Sequence, residues 1–163
     1  MSCLLHTHIL HTADKLSRVS DLAKIGGAIN QRRSQLTQPS FRSNFKNIYR
    51  HTFVIARAQG QKSVALEMAT EYWRLLFTAP SLEWKTASTP WLDWWIEFLE
   101  TRWKKSVNKD MWDQTLTFAD KCLEDESLSW WSEDSAWPGV IDEFVEFVQK
   151  EKRGGSGEAM EVE

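Results

Sequence analysis

Ten tryptophans in a chain of 163 residues, against seven glycines and four prolines, constrain the fold more than any other feature. Large rings bury much area each and suit close packing between helices or an interaction surface. Few glycines and prolines leave few tight turns, so many short strands are excluded. The apolar residues recur at helical spacing. Phe41, Phe45, Ile48, Thr52 and Ala56, widened by Tyr49 and Phe53, predict a core helix over 41–57. Residues 64–77 place Ala65, Met68 or Ala69, Tyr72 and Leu76 on one face, with Pro80 ending the pattern shortly after. Thr89-Pro90 reads as an N-cap followed by proline at the first helical position, opening a helix over 91–105 with Trp91, Leu92, Trp95, Ile96, Leu99 and Trp103. Arg102, Lys104 and Lys105 sit where the dipole of that helix favours cations. Trp112, Leu116, Ala119 and Leu123 predict a helix over 110–124, and Val140, Ile141, Phe144, Phe147 and Val148 predict a last one opening near Pro138.

Residues 13–35 also read as helical through Leu16, Val19, Leu22, Ile25 and Ile29, although Gly26-Gly27 weaken the middle by about 1 kcal/mol each. The segment 151–163, EKRGGSGEAMEVE, has no apolar period and mixes glycine, serine and acids. The expected fold is all-α, a single bundle of about six helices over residues 13–150, with an ambiguous segment 1–12 before it and a flexible acidic tail 151–163 after it. A chain of this length buries about 70% of the surface of its unfolded form, enough for one core.

The net charge of −3 hides an asymmetry. Residues 14–50 carry eight Lys and Arg against two Asp, whereas residues 83–163 carry nine basic against nineteen acidic side chains. The acidic half suits a basic protein surface and repels a nucleic-acid backbone. A nucleic-acid module using Arg32, Arg33, Arg42 and Lys46 is the weaker alternative, because no aromatic is interleaved before Phe41. No run reaches the roughly 18 apolar residues of a membrane helix, and MSCLLHTHILHT lacks the charged start and long apolar core of a signal peptide. Two cysteines, Cys3 and Cys122, form neither a disulfide framework nor a four-cysteine zinc site. The expected address is nucleus and cytoplasm, with no membrane contact.

Catalytic chemistry finds little support. His6, His8 and His11 with Cys3 match neither a helix face nor a tetrahedral finger, so no metal is expected. Cys122 lies on the buried side of its helix, where a free cysteine behaves as a small hydrophobe, and His51 lies within another core helix. No phosphate-binding glycine loop, dinucleotide fingerprint or H-E-x-x-H occurs. We expect no catalytic residues and no cofactor. Trp94 and Trp95 point about 100° apart, so one belongs at a boundary between layers. Trp130-Trp131, in SLSWWSEDSAWP, reads as a lid over the core in preference to a partner site.

Three stretches carry a family resemblance: FKNIYRHTFVIARAQGQKSVALEMATEYWRLLF over 45–77, WLDWWIEFLETRWKKSVNKDMWDQTLTFAD over 91–120, and SAWPGVIDEFVEF over 135–147. Together they resemble the potentiating-neddylation domain of the defective-in-cullin-neddylation family, with a weaker echo at TADKLSRV, residues 12–19. The resemblance implies an all-helical monomeric accessory to a ligase that is not itself an enzyme. It would hold the winged-helix end of a cullin and the acetylated N-terminus of the conjugating enzyme for a Nedd-type ubiquitin-like modifier. Holding both reactants raises their effective concentration and restricts their orientation.

The family's cullin-facing acidic patch maps onto Asp110, Ala136 and Asp142. Its apolar pocket for the acetylated N-terminal methionine maps onto Ile55, Tyr72 and Leu75, with Ile55 standing where an aromatic is common. Burying methionine and acetyl groups is favourable, whereas burying an unpaired ammonium costs several kcal/mol. The family's N-terminal lobe, which supplies the pocket's other wall, has no counterpart in residues 1–12. A cullin-only binding adaptor without a working enzyme pocket is therefore the alternative expectation.

Overall fold

The computed structural model describes residues 22–27, 30–31, 42–79, 81–132 and 134–154. Residues 22–27 and 30–31 are helical, and the rest of the helix expected over 13–35 lies outside the described residues, as do Cys3, His6, His8 and His11. Five further helices follow: α1 Arg42–Ala56, α2 Leu66–Leu76, α3 Trp91–Phe98, α4 Lys109–Glu124 and α5 Gly139–Phe147. The chain is all-α, with one isolated antiparallel bridge, Val64 to Val107, among the described residues. Two of the helices widen at their ends into π-turns, α3 over Leu99–Trp103 and α5 over Val148–Arg153.

The tryptophans make the core. Trp73, Trp84, Trp91, Trp95 and Trp112 are all fully buried. Trp73 of α2 stacks on Trp112 of α4 at 5.1 Å and meets Trp95 of α3 edge-on at 5.9 Å. Phe144 of α5 completes the layer edge-on to Trp95 at 5.0 Å. Such pairs contribute about 0.5–1.5 kcal/mol each beyond the area they bury, and here they join four helices through one aromatic stack.

Several expectations need correction. In α1, Ile48 was placed in the core stripe, but the buried residues are Phe45, Tyr49, Thr52 and Phe53, and Ile48 is 48% exposed. In α2 the buried face is Ala69, Thr70, Trp73 and Leu76, so Ala65 and Met68 stay exposed and Tyr72 is half-buried. Both sets repeat at three and four residues. The bulk of Trp73 decides which one turns inward, since burying an indole outweighs burying a thioether.

Thr89 does not cap α3. Pro90 holds the N-cap position, and Thr89 is engaged with Thr86, whose backbone N–H donates to its carbonyl at 2.9 Å and whose hydroxyl accepts from its N–H at 3.0 Å. The first turn of α3 instead finds an acceptor in the Trp84 carbonyl, 3.0 Å from the Leu92 N–H. The expected helix over 91–105 stops at Trp103, where Lys104 turns left-handed at φ 54° and donates to the Leu99 carbonyl at 2.9 Å. Of the tail expected over 151–163, residues 151–153 are helical, and 155–163 lie outside the described residues. Helical structure runs to Arg153, held by Lys152 on Glu97 and by Arg153 donating to the Glu126 carbonyl at 2.6 Å.

Candidate functional site

Two surfaces can be built from the residues upward, one acidic and one apolar. The acidic one begins at α4. The Val64–Val107 bridge, with both N–H···O distances at 2.8 Å, fixes the chain just ahead of Asn108, whose side chain accepts from the Met111 N–H and caps α4. Asp110 stands exposed in the first turn, where the helix dipole favours a carboxylate. Asp110, Gln114, Phe118 and Lys121 succeed one another at i, i+4, i+8 and i+11, which puts them on one stripe of α4.

Phe118 and Lys121 of that stripe meet the loop that carries Ala136 and leads into α5 with Asp142. Phe118 meets Trp130 edge-on at 5.4 Å and Trp137 at 5.9 Å, and the Lys121 ammonium lies 5.2 Å from the Trp130 ring centre. Trp137 anchors the chain beside exposed Ala136, and α5 opens two residues later with Asp142 half-buried in its first turn. The Trp131 indole N–H donates to Asp142 Oδ1 at 3.1 Å. Asp110 is eight residues before Phe118, about 12 Å along the helix axis. The structure thus carries Ala136 and Asp142 on one loop-and-helix unit that packs through Trp137 against Phe118, and Asp110 stands about two turns before Phe118 on α4.

The apolar surface lies between α1 and α2. Arg74 reaches Glu100 at 3.6 Å, which turns that edge of α2 toward the end of α3 and leaves Met68, Tyr72 and Leu75 on the opposite edge. Arg50 reaches Asp113 at 3.7 Å and Arg42 pairs with Asp120, which turns that edge of α1 toward α4 and leaves Ile48 and Ile55 on the opposite edge. Tyr72 and Leu75 of the expected trio thus share one edge of α2, and Ile55 stands on α1, the helix packed against it. Ile55 is 60% and Leu75 72% exposed, and Tyr72 is half-buried. Ile48, expected in the core stripe, and Met68, expected there as the alternative to Ala69, are exposed as well.

Beneath both surfaces lies a polar knot. The Tyr49 hydroxyl donates to the Trp112 carbonyl at 2.7 Å and accepts from the Trp73 indole at 2.8 Å, while the Trp112 indole donates to the Tyr49 carbonyl at 3.0 Å. Burial pushes the Tyr49 phenol well above its ordinary range, so it remains a neutral donor. Burial likewise pushes the Cys122 thiol up, which disfavours the thiolate a nucleophile would need. Among the described residues no group of three or more His, Cys, Asp or Glu is placed to hold a metal ion.

The described residues thus form an all-α domain that carries exposed apolar side chains on α1 and α2 and carboxylates at the starts of α4 and α5. The chain belongs to the defective-in-cullin-neddylation family: the model described as "Cullin binding" matches residues 24–147. It is 40% identical over 129 residues to "Defective in cullin neddylation protein 1" of Pyricularia oryzae, covering 73% of this chain and 46% of that protein. With the protein of the same name from Yarrowia lipolytica it shares 34% over 111 residues, 68% of this chain and 43% of the relative. With human "DCN1-like protein 3" it shares 36% over 129 residues, 76% of this chain and 40% of the relative. The chain thus spans less than half the length of these curated relatives.

Proposed function

We propose that this chain is a scaffold-type co-ligase, one that promotes transfer of a Nedd-type ubiquitin-like modifier from its conjugating enzyme to a cullin lysine by gripping both. Asp110, Ala136 and Asp142 face the cullin's winged-helix end, two carboxylates receiving basic side chains around a methyl-sized gap. Ile55, Tyr72 and Leu75, with Ile48 and Met68, receive the acetylated N-terminal methionine of the enzyme. The chain contributes no catalytic residue and no cofactor, acts as a monomer, and works in the nucleus and cytoplasm. The observation that carries this reading is that α1 and α2, with Ile55, Tyr72 and Leu75, and α4 and α5, with Asp110 and Asp142, pack on one aromatic core, an arrangement that would hold both partners in fixed relative orientation.

Asp142→Ala or Ala136→Arg is expected to abolish capture of the winged-helix end without unfolding the domain. Normal capture by both variants would rule out the acidic patch. A second reading, a cullin-only adaptor, is favoured by the shallowness of the apolar face, where Ile55 and Leu75 are more exposed than buried. Titration with the acetylated N-terminal peptide of the conjugating enzyme separates the two. Saturable binding that Leu75→Asp removes supports the co-ligase, and a flat titration beside intact cullin binding supports the adaptor. A nucleic-acid role is less well supported, because Arg42 is paired with Asp120 and lies over the Phe45 ring; a gel shift tests it.

A further inference from the structure

We propose that Trp131 belongs to the cullin-gripping surface, its indole N–H positioning the Asp142 carboxylate so that the two together seat one lysine or arginine side chain of the partner. This rests on the reading of Asp142 given above. Adjacent Trp130 and Trp131 are both half-buried against the core, but their ring and polar contacts differ. Trp130 is absorbed into the molecule: its ring packs on Phe118 and Trp137, Lys121 lies over it, and its indole N–H donates to the Asp125 carbonyl at 3.0 Å. Trp131 has no ring or cation paired with it among the described residues, and its polar contact is to a carboxylate at 3.1 Å. A half-buried indole so placed keeps part of its ring at the surface next to the Asp142 carboxylate.

Three physical consequences follow from that contact. An ionised carboxylate accepts about four hydrogen bonds, so with Oδ1 held by the indole, Oδ2 remains for an incoming ammonium or guanidinium. Fixing the rotamer of Asp142 in advance removes ordering entropy from the binding step. An indole whose N–H donates to an anion is polarised toward a more electron-rich ring, which strengthens attraction for a cation over its face. Carboxylate and ring are thus complementary to the same basic side chain, and tryptophan is the residue type most enriched where binding energy concentrates.

Two variants separate the contributions. Trp131→Phe keeps a ring and loses the donor, while Trp131→Gln keeps an N–H donor and loses the ring. Calorimetric titration of the full chain with an isolated cullin winged-helix domain is expected to show about five- to tenfold weaker binding for each. Binding by Trp131→Phe and Trp131→Gln at the wild-type level, with Asp142→Ala still abolishing it, overturns the role of Trp131 and leaves the acidic patch standing. Binding undisturbed by Asp142→Ala and Ala136→Arg removes the patch itself, and Trp131 with it. Should either Trp131 variant melt early, the wild-type protein decides: the Trp131 indole proton resonance, assigned by its loss in Trp131→Phe, is expected to shift when the winged-helix domain is added. A resonance that saturating domain leaves unmoved overturns the proposal.

Discussion

Tyr49 makes three hydrogen bonds through two residues of other helices, and Trp112 takes part in two of them. Trp95 is as deeply buried, yet its indole N–H has no partner among the described residues. The two tryptophans should therefore respond differently to the same change. Trp95→Phe removes ring area and one unsatisfied donor, and is expected to cost about 1–2 kcal/mol. Trp112→Phe also leaves the Tyr49 carbonyl short of a donor and breaks the stack with Trp73, and is expected to cost about 3–4 kcal/mol. Chemical denaturation of both variants checks the order, and equal losses would mean that the polar knot adds nothing to packing. That Trp73 and Trp112 would be buried was within reach of helical periodicity for one and not the other. Trp112 led its predicted stripe, whereas Trp73 lay one residue off the face chosen for α2 and displaced Met68 and Tyr72 toward solvent.

Among the connecting elements, the loop from Asp125 to Ser132 bears on the acidic surface, because it carries Trp130 and Trp131. Asp125 organises it, accepting from the Ser127 N–H at 2.9 Å and from the hydroxyls of Ser127 and Ser129, each at 2.6 Å. These bonds, the Ser127 hydroxyl first, hold its carboxyl below the ordinary carboxylate range. A depressed carboxylate contributes stability that is fully present above its unfolded value of about 3.9 and is lost as pH falls through the lower folded value. Order in this loop, read from the Trp130 indole proton, is thus expected to persist at neutral pH and fail in acid below about pH 4. Asp125→Asn should weaken the loop already at neutral pH and flatten that acid transition; an unaltered profile would show that Asp125 does not hold the loop. The neighbouring Glu126 ties the same region to Thr86 and Ser88 and is likewise lowered, by the Thr86 hydroxyl first. Spacing along the chain showed where α4 and α5 lie, but a loop whose bonds run from Glu126 to Thr86, 40 residues away, has no local signature.

Over the whole molecule the acidic second half has its counterpart in the proposed partner. Cullin association is expected to weaken steadily as salt rises, because exposed Asp110 and half-buried Asp142 are screened within a Debye length of about 8–10 Å at ordinary ionic strength. Affinity independent of salt would point to an apolar interface instead. Binding of the acetylated peptide to the α1–α2 face should show the reverse insensitivity, since apolar burial does not depend on screening.

Helix content, the burial of most aromatics and the family were legible in the linear chain, because each rests on residues within a turn or two or on unbroken motifs such as Ala136-Trp137-Pro138. Hydrophobic period is a local property, and it survives without knowledge of what lies opposite. Three features were decided in three dimensions: which of two equivalent stripes of α2 turned inward, the substitution of the Trp84 carbonyl for Thr89 at the start of α3, and the contact of Trp131 with Asp142. Each depends on a partner from another element, and the free energy of burying an indole or satisfying an N–H is set by that partner and not by the neighbours in sequence.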